Sequence, residues 1–189
     1  MYKTVVFDLD GTLLNTLTDL ADAGNRLCRK YGWPTHERQA YRYFVGNGIP
    51  KLVERLAPAD QRTPAVLEAA LADFKRDYGQ HLRDTTAPYP GIPEMLAKLK
   101  ANGVQLAVFS NKADALAKEV VKDYFGTQYF TIVRGQMTGV APKPAAEGTN
   151  ALLQALHADP ASTLYVGDSN VDVETAHNAN LPCCGAVWG

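Results

Sequence analysis

The stretch Val5-Val6-Phe7-Asp8-Leu9-Asp10-Gly11-Thr12 decides the fold, because an apolar run stops there at two carboxylates one residue apart, followed by a glycine. Residues two apart on a strand point to the same side. Asp8 and Asp10 therefore face one small volume beyond the strand's C-terminal end, and Gly11 lets the backbone turn sharply away. One carboxylate so placed can attack phosphorus, while the second protonates the leaving oxygen and later activates water. The same residues also suit an ordinary solvated turn, where Asp and Gly are common. A calcium loop is excluded: EF-hand spacing requires glycine at the sixth position and glutamate at the twelfth, where this chain has Leu13 and Asp19.

The 189 residues, 46% hydrophobic and 21% charged, can bury a core and fit one domain of ordinary size plus a smaller one. A net charge of −1 without a long basic run argues against nucleic-acid or membrane-surface binding, and a small partner is expected. Three cysteines, Cys28 and the adjacent Cys183 and Cys184, match no metal-site or disulfide spacing and read as reduced thiols. The apolar run between Lys3 and Asp8 is too short for a signal segment, and no stretch approaches membrane-spanning length, so a cytoplasmic location is expected.

After Thr12 the periodicity becomes helical for about seventy residues. Leu17, Leu20, Ala21, Leu27, Cys28 and Tyr31 share one helix, ended by Gly32 and Pro34. Val45, Ile49, Leu52, Val53 and Leu56 share a second, after or across Gly46-Asn47-Gly48. Leu67, Ala70, Leu71, Phe74, Tyr78 and Leu82 share a third that starts at Thr63-Pro64. Beyond a linker over 84–90, helices alternate with strands at Val104 to Phe109, Tyr129 to Val133, Thr163 to Val166 and Cys183 to Val187. The pattern is α/β, a doubly wound parallel sheet formed by 1–14 and 85–189, with an all-helical subdomain, 15–84, inserted after the first strand.

Ligands of such sheets bind outside the carboxyl ends of the strands. The polar residues expected on that rim are Asp8, Asp10, Ser110, Asn111, Asp168 and Asp172, joined by Lys143 in the stiff Pro142-Lys143-Pro144 loop. Clustered carboxylates suit Mg2+ with a substrate phosphate, and a lysine and a hydroxyl suit the transferring phosphoryl group. Read singly, Ser110 is a strand end or helix cap, Lys143 a loop cation, Asp168 and Asp172 helix-start charges, and Gly46-Asn47-Gly48 an interhelix turn. Their coincidence at strand ends favours a site.

In order, Asp8-Leu9-Asp10-Gly11-Thr12, Ser110 after an apolar strand, Lys143, and Gly167-Asp168-Ser169-Asn170-Val171-Asp172 resemble the four motifs of the haloacid dehalogenase-like (HAD) hydrolases. The helical insert is similar to the cap of one branch. Asp19-Leu20, Val45-Gly46-Asn47-Gly48, Ser110-Asn111-Lys112 and Gly185 to Gly189 most resemble its phosphoglycolate phosphatases. The resemblance implies a Rossmann-like core and an aspartyl-phosphate mechanism. In it Asp8 is nucleophile and metal ligand, Asp10 is acid/base and binds Mg2+ through its backbone carbonyl, and Asp168 is a further ligand. Asp172 stands behind the metal, and Ser110, Asn111 and Lys143 hold the phosphoryl group. Gly46, Asn47 and Gly48 are expected to contact the organic part of a small phosphorylated metabolite such as 2-phosphoglycolate. Arg42, Lys51 and Arg55 are candidates to pair with its carboxylate. A sugar phosphomutase of the same fold, or a non-catalytic magnesium- and phosphate-binding module, are the alternatives. Asn15-Thr16 stands where this branch usually has Asp-Ser. The resemblance also implies a further strand and helix after Trp188-Gly189, so an uncovered sheet edge is expected beside Cys183 to Val187.

Overall fold

The computed structural model describes all residues, Met1–Gly189, as two compact units: Met1–Asn15 with Pro88–Gly189, and Thr16–Ala87. The first unit holds a five-stranded parallel sheet in the order β5-β4-β1-β6-β7. Its strands are β1 (Thr4–Phe7), β4 (Gln105–Ala113), β5 (Phe130–Gln136), β6 (Thr163–Gly167) and β7 (Cys183–Gly185). Two short strands, β2 (Leu14–Asn15) and β3 (Ala87–Pro88), pair with each other. The helical unit contains α1 (Leu17–Tyr31), α2 (Tyr41–Phe44), α3 (Ile49–Leu56) and α4 (Pro64–His81). The sheet carries α5 (Ile92–Ala101), α6 (Asp114–Phe125), α7 (Ala146–Leu156) and α8 (Asn170–Asn178).

β1 is central because all four of its residues are buried, which suits a strand covered on both faces. It pairs in parallel with β4 and β6 so that Phe7 lies level with Val108 and Val166. All three strands thus deliver their next residues to one rim. Val6, Ala107, Phe109 and Tyr165 point to one face and pack with Leu152, Leu153 and Leu156 of α7 and with Ala176, Ala179 and Leu181. The alternating Val5, Phe7, Leu106 and Val108 are buried from the opposite face. Ala117, Val120, Val121 and Phe125 of α6, which packs on β4 and β5, are buried as well. β7 is exposed at the sheet edge, and its expected extension to Val187 stops at Gly185.

β4 differs from its expected length for a physical reason. Instead of ending at Phe109 it continues to Ala113, with the register shifting from Phe109 opposite Arg134 to Ala113 opposite Gln136. Four steps of β4 face two of β5. Ser110, Asn111 and Lys112, opposite the single residue Gly135, form an irregular stretch with two residues to spare, pinned at both ends.

In the helical unit α1 packs on α4 and α3 on α4, burying Leu20, Leu27 and Cys28 with Leu52, Val53, Leu56, Phe74 and Tyr78. Thr63 caps α4, its side chain accepting from the Val66 N–H, and Pro64 fills the first helical position. The expected second helix is α3, which begins after the glycines and leaves Val45 outside it, and the short α2 precedes the break at 45–48. There Gly46 and Gly48 take φ values of 108° and 83° that a continuous helix cannot hold. Thr85 and Thr86, expected in the linker, belong to the helical unit. Their N–H and hydroxyl groups donate to Asp19 at 2.6–2.9 Å, so a carboxylate only 2% exposed receives four hydrogen bonds.

No helix is long and apolar enough to cross a membrane. Removing the Asp19 carboxylate orphans four donors at once, two on the buried Thr86 and two on the exposed Thr85. Asp19→Ala is therefore expected to lower stability by roughly 3–5 kcal/mol in urea unfolding, with Asp19→Asn intermediate. A loss under about 1 kcal/mol would show that water replaces the carboxylate there.

Candidate active site

Asp8 and Asp168 directly follow strands, Ser110 lies within β4, Lys143 sits on the loop between β5 and α7, and Asp172 is in the first turn of α8. Asp8 comes directly after β1, its N–H donating to the Val166 carbonyl at 2.8 Å. The chain then turns tightly: the Leu9 carbonyl accepts from Leu13 and Leu14 at 3.0 Å, and the Gly11 N–H donates to Leu14 at 2.9 Å. Gly11 has φ 90°, and a Cβ there would strike the Asp168 carboxylate, so glycine serves both turn and close approach. Thr12 Oγ1 donates to Asp168 Oδ1 at 2.8 Å and joins the first turn to the end of β6. The Trp188 indole N–H donates to the Thr12 carbonyl at 3.1 Å and braces the same turn.

Asp172 sits in the first turn of α8 in a reciprocal cap. Its Oδ2 accepts from the Ser169 N–H at 3.0 Å and from Ser169 Oγ at 2.6 Å, while the Asp172 N–H donates to Ser169 Oγ. Its Oδ1 accepts from Lys143 Nζ at 2.7 Å, and the same ammonium meets Asp8 Oδ1 at 2.8 Å. The Tyr165 hydroxyl lies 3.1 Å from Lys143 Nζ and 3.3 Å from Asp172 Oδ1. The loop that carries Lys143 is anchored by Asn111, whose Oδ1 accepts from the Lys143 N–H at 2.8 Å and whose amide donates to the Lys143 carbonyl at 3.1 Å. Both ends of the Asn111 side chain are thus bound to the Lys143 backbone, so the amide positions the lysine.

Oxygens of Asp8, Asp168 and Asp172 all lie within 4.8 Å of one another. The side chain of Asp10 is outside this trio, with Oδ1 3.0 Å from Lys112 Nζ. Ser110 is buried, and its Oγ accepts from the Lys112 N–H at 3.2 Å. Gly46, Asn47 and Gly48 belong to the helical unit, where Arg55 braces their loop by donating to the Phe44 carbonyl and to Asn47 Oδ1, both at 2.8 Å. Lys51 pairs with Glu54. Tyr165 and Lys112 had no assigned role in the sequence. Tyr165 reads as one more apolar position in a buried strand, and the signal for Lys112 is its place two residues after Ser110.

The electrostatics are unbalanced. Burial raises the Asp8 carboxyl to about 8, helped by the nearby Asp172 and opposed by Lys143. Burial likewise raises Asp168 to about 6, against the Thr12 hydrogen bond. Burial alone would lower Lys143 and raise Asp172. Instead Asp8, Tyr165 and Asp172 hold the lysine well above its usual value, and Lys143 with Ser169 holds Asp172 below its own. One ammonium cannot neutralise three acids, and Asp8 Oδ1, buried, has no hydrogen bond in line. A donor set made only of hard oxygens with excess negative charge fits a divalent cation of the magnesium type.

The family model for haloacid dehalogenase-like hydrolase matches residues 5–186. A phosphoglycolate phosphatase of Thiobacillus denitrificans is 32% identical over 190 residues, 99% of this chain and 84% of that protein. One from Neisseria meningitidis is 33% identical, over 99% of this chain and 81% of its own length. The crystal structure of a candidate phosphoglycolate phosphatase from Lactobacillus delbrueckii subsp. bulgaricus superposes with a TM-score of 0.93 at 28% identity, covering 100% of this chain and 87% of that one. The chain belongs to the haloacid dehalogenase-like hydrolase family. Within it the chain falls in the phosphoglycolate phosphatase-like branch and is an enzyme, a phosphoric monoester hydrolase, which sets aside the non-catalytic module.

The raised carboxyls set a pH dependence. Between the usual carboxyl value near 4 and about 8, the folded state holds a proton on Asp8 that the unfolded chain has released, so stability falls as pH rises through that window. In chelator, the thermal midpoint should drop from pH 5 to pH 8, and Asp8→Asn should flatten the drop. An unchanged slope in Asp8→Asn would assign it to other groups. Lys143→Met leaves Asp8 and Asp172 buried without their counter-ion and is expected to cost about 3–5 kcal/mol by urea unfolding.

Proposed function

We propose that the chain is a magnesium-dependent phosphatase that hydrolyses a small organic phosphate monoester of the 2-phosphoglycolate type through an aspartyl-phosphate on Asp8, and that it works in the cytoplasm. The observation that carries this reading is the placement of Asp8 at the end of the central strand. There it is in contact with a fixed ammonium and beside two further acids, while a separate carboxylate, Asp10, follows two residues later.

Asp8, Asp168 and the backbone carbonyl of Asp10 would hold Mg2+, with Asp172 behind them. When bound, the cation neutralises charge on the site and on the phosphate. The remaining chemistry belongs to the side chains. Lys143 keeps Asp8 aimed and, with Ser110, offsets charge on the transferring phosphoryl group. Asp8 attacks phosphorus, the P–O bond to the organic group breaks, and Asp10 gives its proton to the departing oxygen. Asp10 then takes a proton from water as that water attacks the phosphoryl-aspartate, which releases phosphate and restores Asp8. Asp10 suits expulsion of an alkoxide, which needs a proton, better than expulsion of a halide, which does not.

Asp8→Asn keeps the volume of the side chain but removes the attacking oxygen. Turnover of 2-phosphoglycolate with Mg2+ should fall roughly 10⁴-fold or more while the protein stays folded. Asp168→Asn should recover part of its lost rate as Mg2+ is raised. Release of free phosphate by wild type supports the phosphatase. Isomerised sugar phosphate without release, or full activity of Asp8→Asn, would overturn the reading.

A further inference from the structure

Four carboxylates gather at the rim of the sheet, and two buried lysines divide them. Lys143 serves Asp8 and Asp172, whereas Lys112, with a side chain 3% exposed, meets Asp10 Oδ1 at 3.0 Å. Without a cation of its own, Asp10 would be drawn to whatever positive charge the other three acids share. We propose that Lys112 is a positioning residue that reserves the Asp10 side chain for proton transfer at the leaving oxygen and keeps it out of the cation-binding trio. The inference rests on the acid/base role given to Asp10 above.

The surrounding structure fixes Lys112 before it fixes Asp10. Lys112 is the last residue of the irregular stretch of β4, and its N–H donates to Ser110 Oγ at 3.2 Å. Asn111, one residue earlier, is bonded at both ends to the Lys143 backbone. On the other side Gly135 packs so closely that a Cβ there would strike the Lys112 carbonyl, and the Gly135 N–H donates to Asp114 Oδ1 at 3.0 Å. The backbone of Lys112 is thus held by Ser110 within β4 and against Gly135 of β5, and its ammonium reaches back to the turn after β1. The contact uses only Oδ1 of Asp10, so Oδ2 is the atom placed to handle the proton. One irregular stretch of β4 sets both lysines, and with them the division of labour among the acids.

A general acid matters most when the departing oxygen is a poor leaving group. Comparing kcat/KM for an alkyl ester, 2-phosphoglycolate, with that for p-nitrophenyl phosphate therefore reads the position of Asp10 in the step that forms the aspartyl-phosphate. Lys112→Met should lower kcat/KM for the alkyl ester roughly 10²-fold, at least tenfold further than for the aryl ester. Lys112→Arg should recover most of the difference, and calorimetry should find Mg2+ binding unchanged or tighter. Equal losses on both esters, or weaker Mg2+ binding, would overturn the inference and leave Lys112 a general support of the site. Asp10→Asn separates this failure from that of the reading beneath it: no leaving-group dependence in that variant would sink the acid/base role of Asp10 itself. Should Lys112→Met be insoluble, Lys112→Gln carries the same comparison.

Discussion

The site depends on one buried ammonium. Lys143 Nζ touches Asp8, Asp172 and the Tyr165 hydroxyl, all of them buried, where an unpaired carboxylate would be costly to keep. Each partner arrives on a different element: Asp8 after β1, Tyr165 on β6, Asp172 in α8, and the lysine on a loop that Asn111 ties to β4. The ion contact is therefore also the point at which the sheet and its helices agree on a common geometry. It is incomplete by design, since a single positive charge serves more than one acid. The remaining negative charge gives the enzyme a use for a divalent cation.

Much of this was legible in the residues. A fully apolar Val5-Val6-Phe7 before two acids gives a buried strand ending in a polar rim. The alternation of helices and strands after residue 90 fixes the doubly wound sheet, because periodicity and strand length are local properties. What stayed hidden is set by distant partners. Ser110-Asn111-Lys112 looked like the end of a strand, and only the register against β5 shows it to be a detour within one. That the Asn111 side chain also braces the lysine loop shows only once the 143 backbone is in place. Around Asp19 nothing local announces that Thr85 and Thr86, more than sixty residues later, are its donors.

The glycines of the site divide in the same way. Gly11 can be read from the turn it must make, but its second task, admitting the Asp168 carboxylate, appears only when β6 is in place. Gly135 carries no sequence signal and is needed because the Lys112 carbonyl lies against it. Lysine content alone also misleads. Lys143 and Lys112 are both buried, whereas Lys51, Lys118 and Arg76 make exposed pairs of the kind that contribute little.

The level pairing of β1 with β4 and β6 has a consequence for how the chain comes into being. Phe7 must find Val108 and Val166, partners 101 and 159 residues away, before any acid at the rim has its neighbours. Such distant pairings form slowly, since the intervening loops must close first. During synthesis the helical unit is complete long before β6 leaves the ribosome, while Asp8 waits without Lys143, Asp168 or Asp172. The rim therefore assembles only when nearly the whole chain exists, and a truncated or misassembled product has Asp8 without the residues that surround it in the finished site.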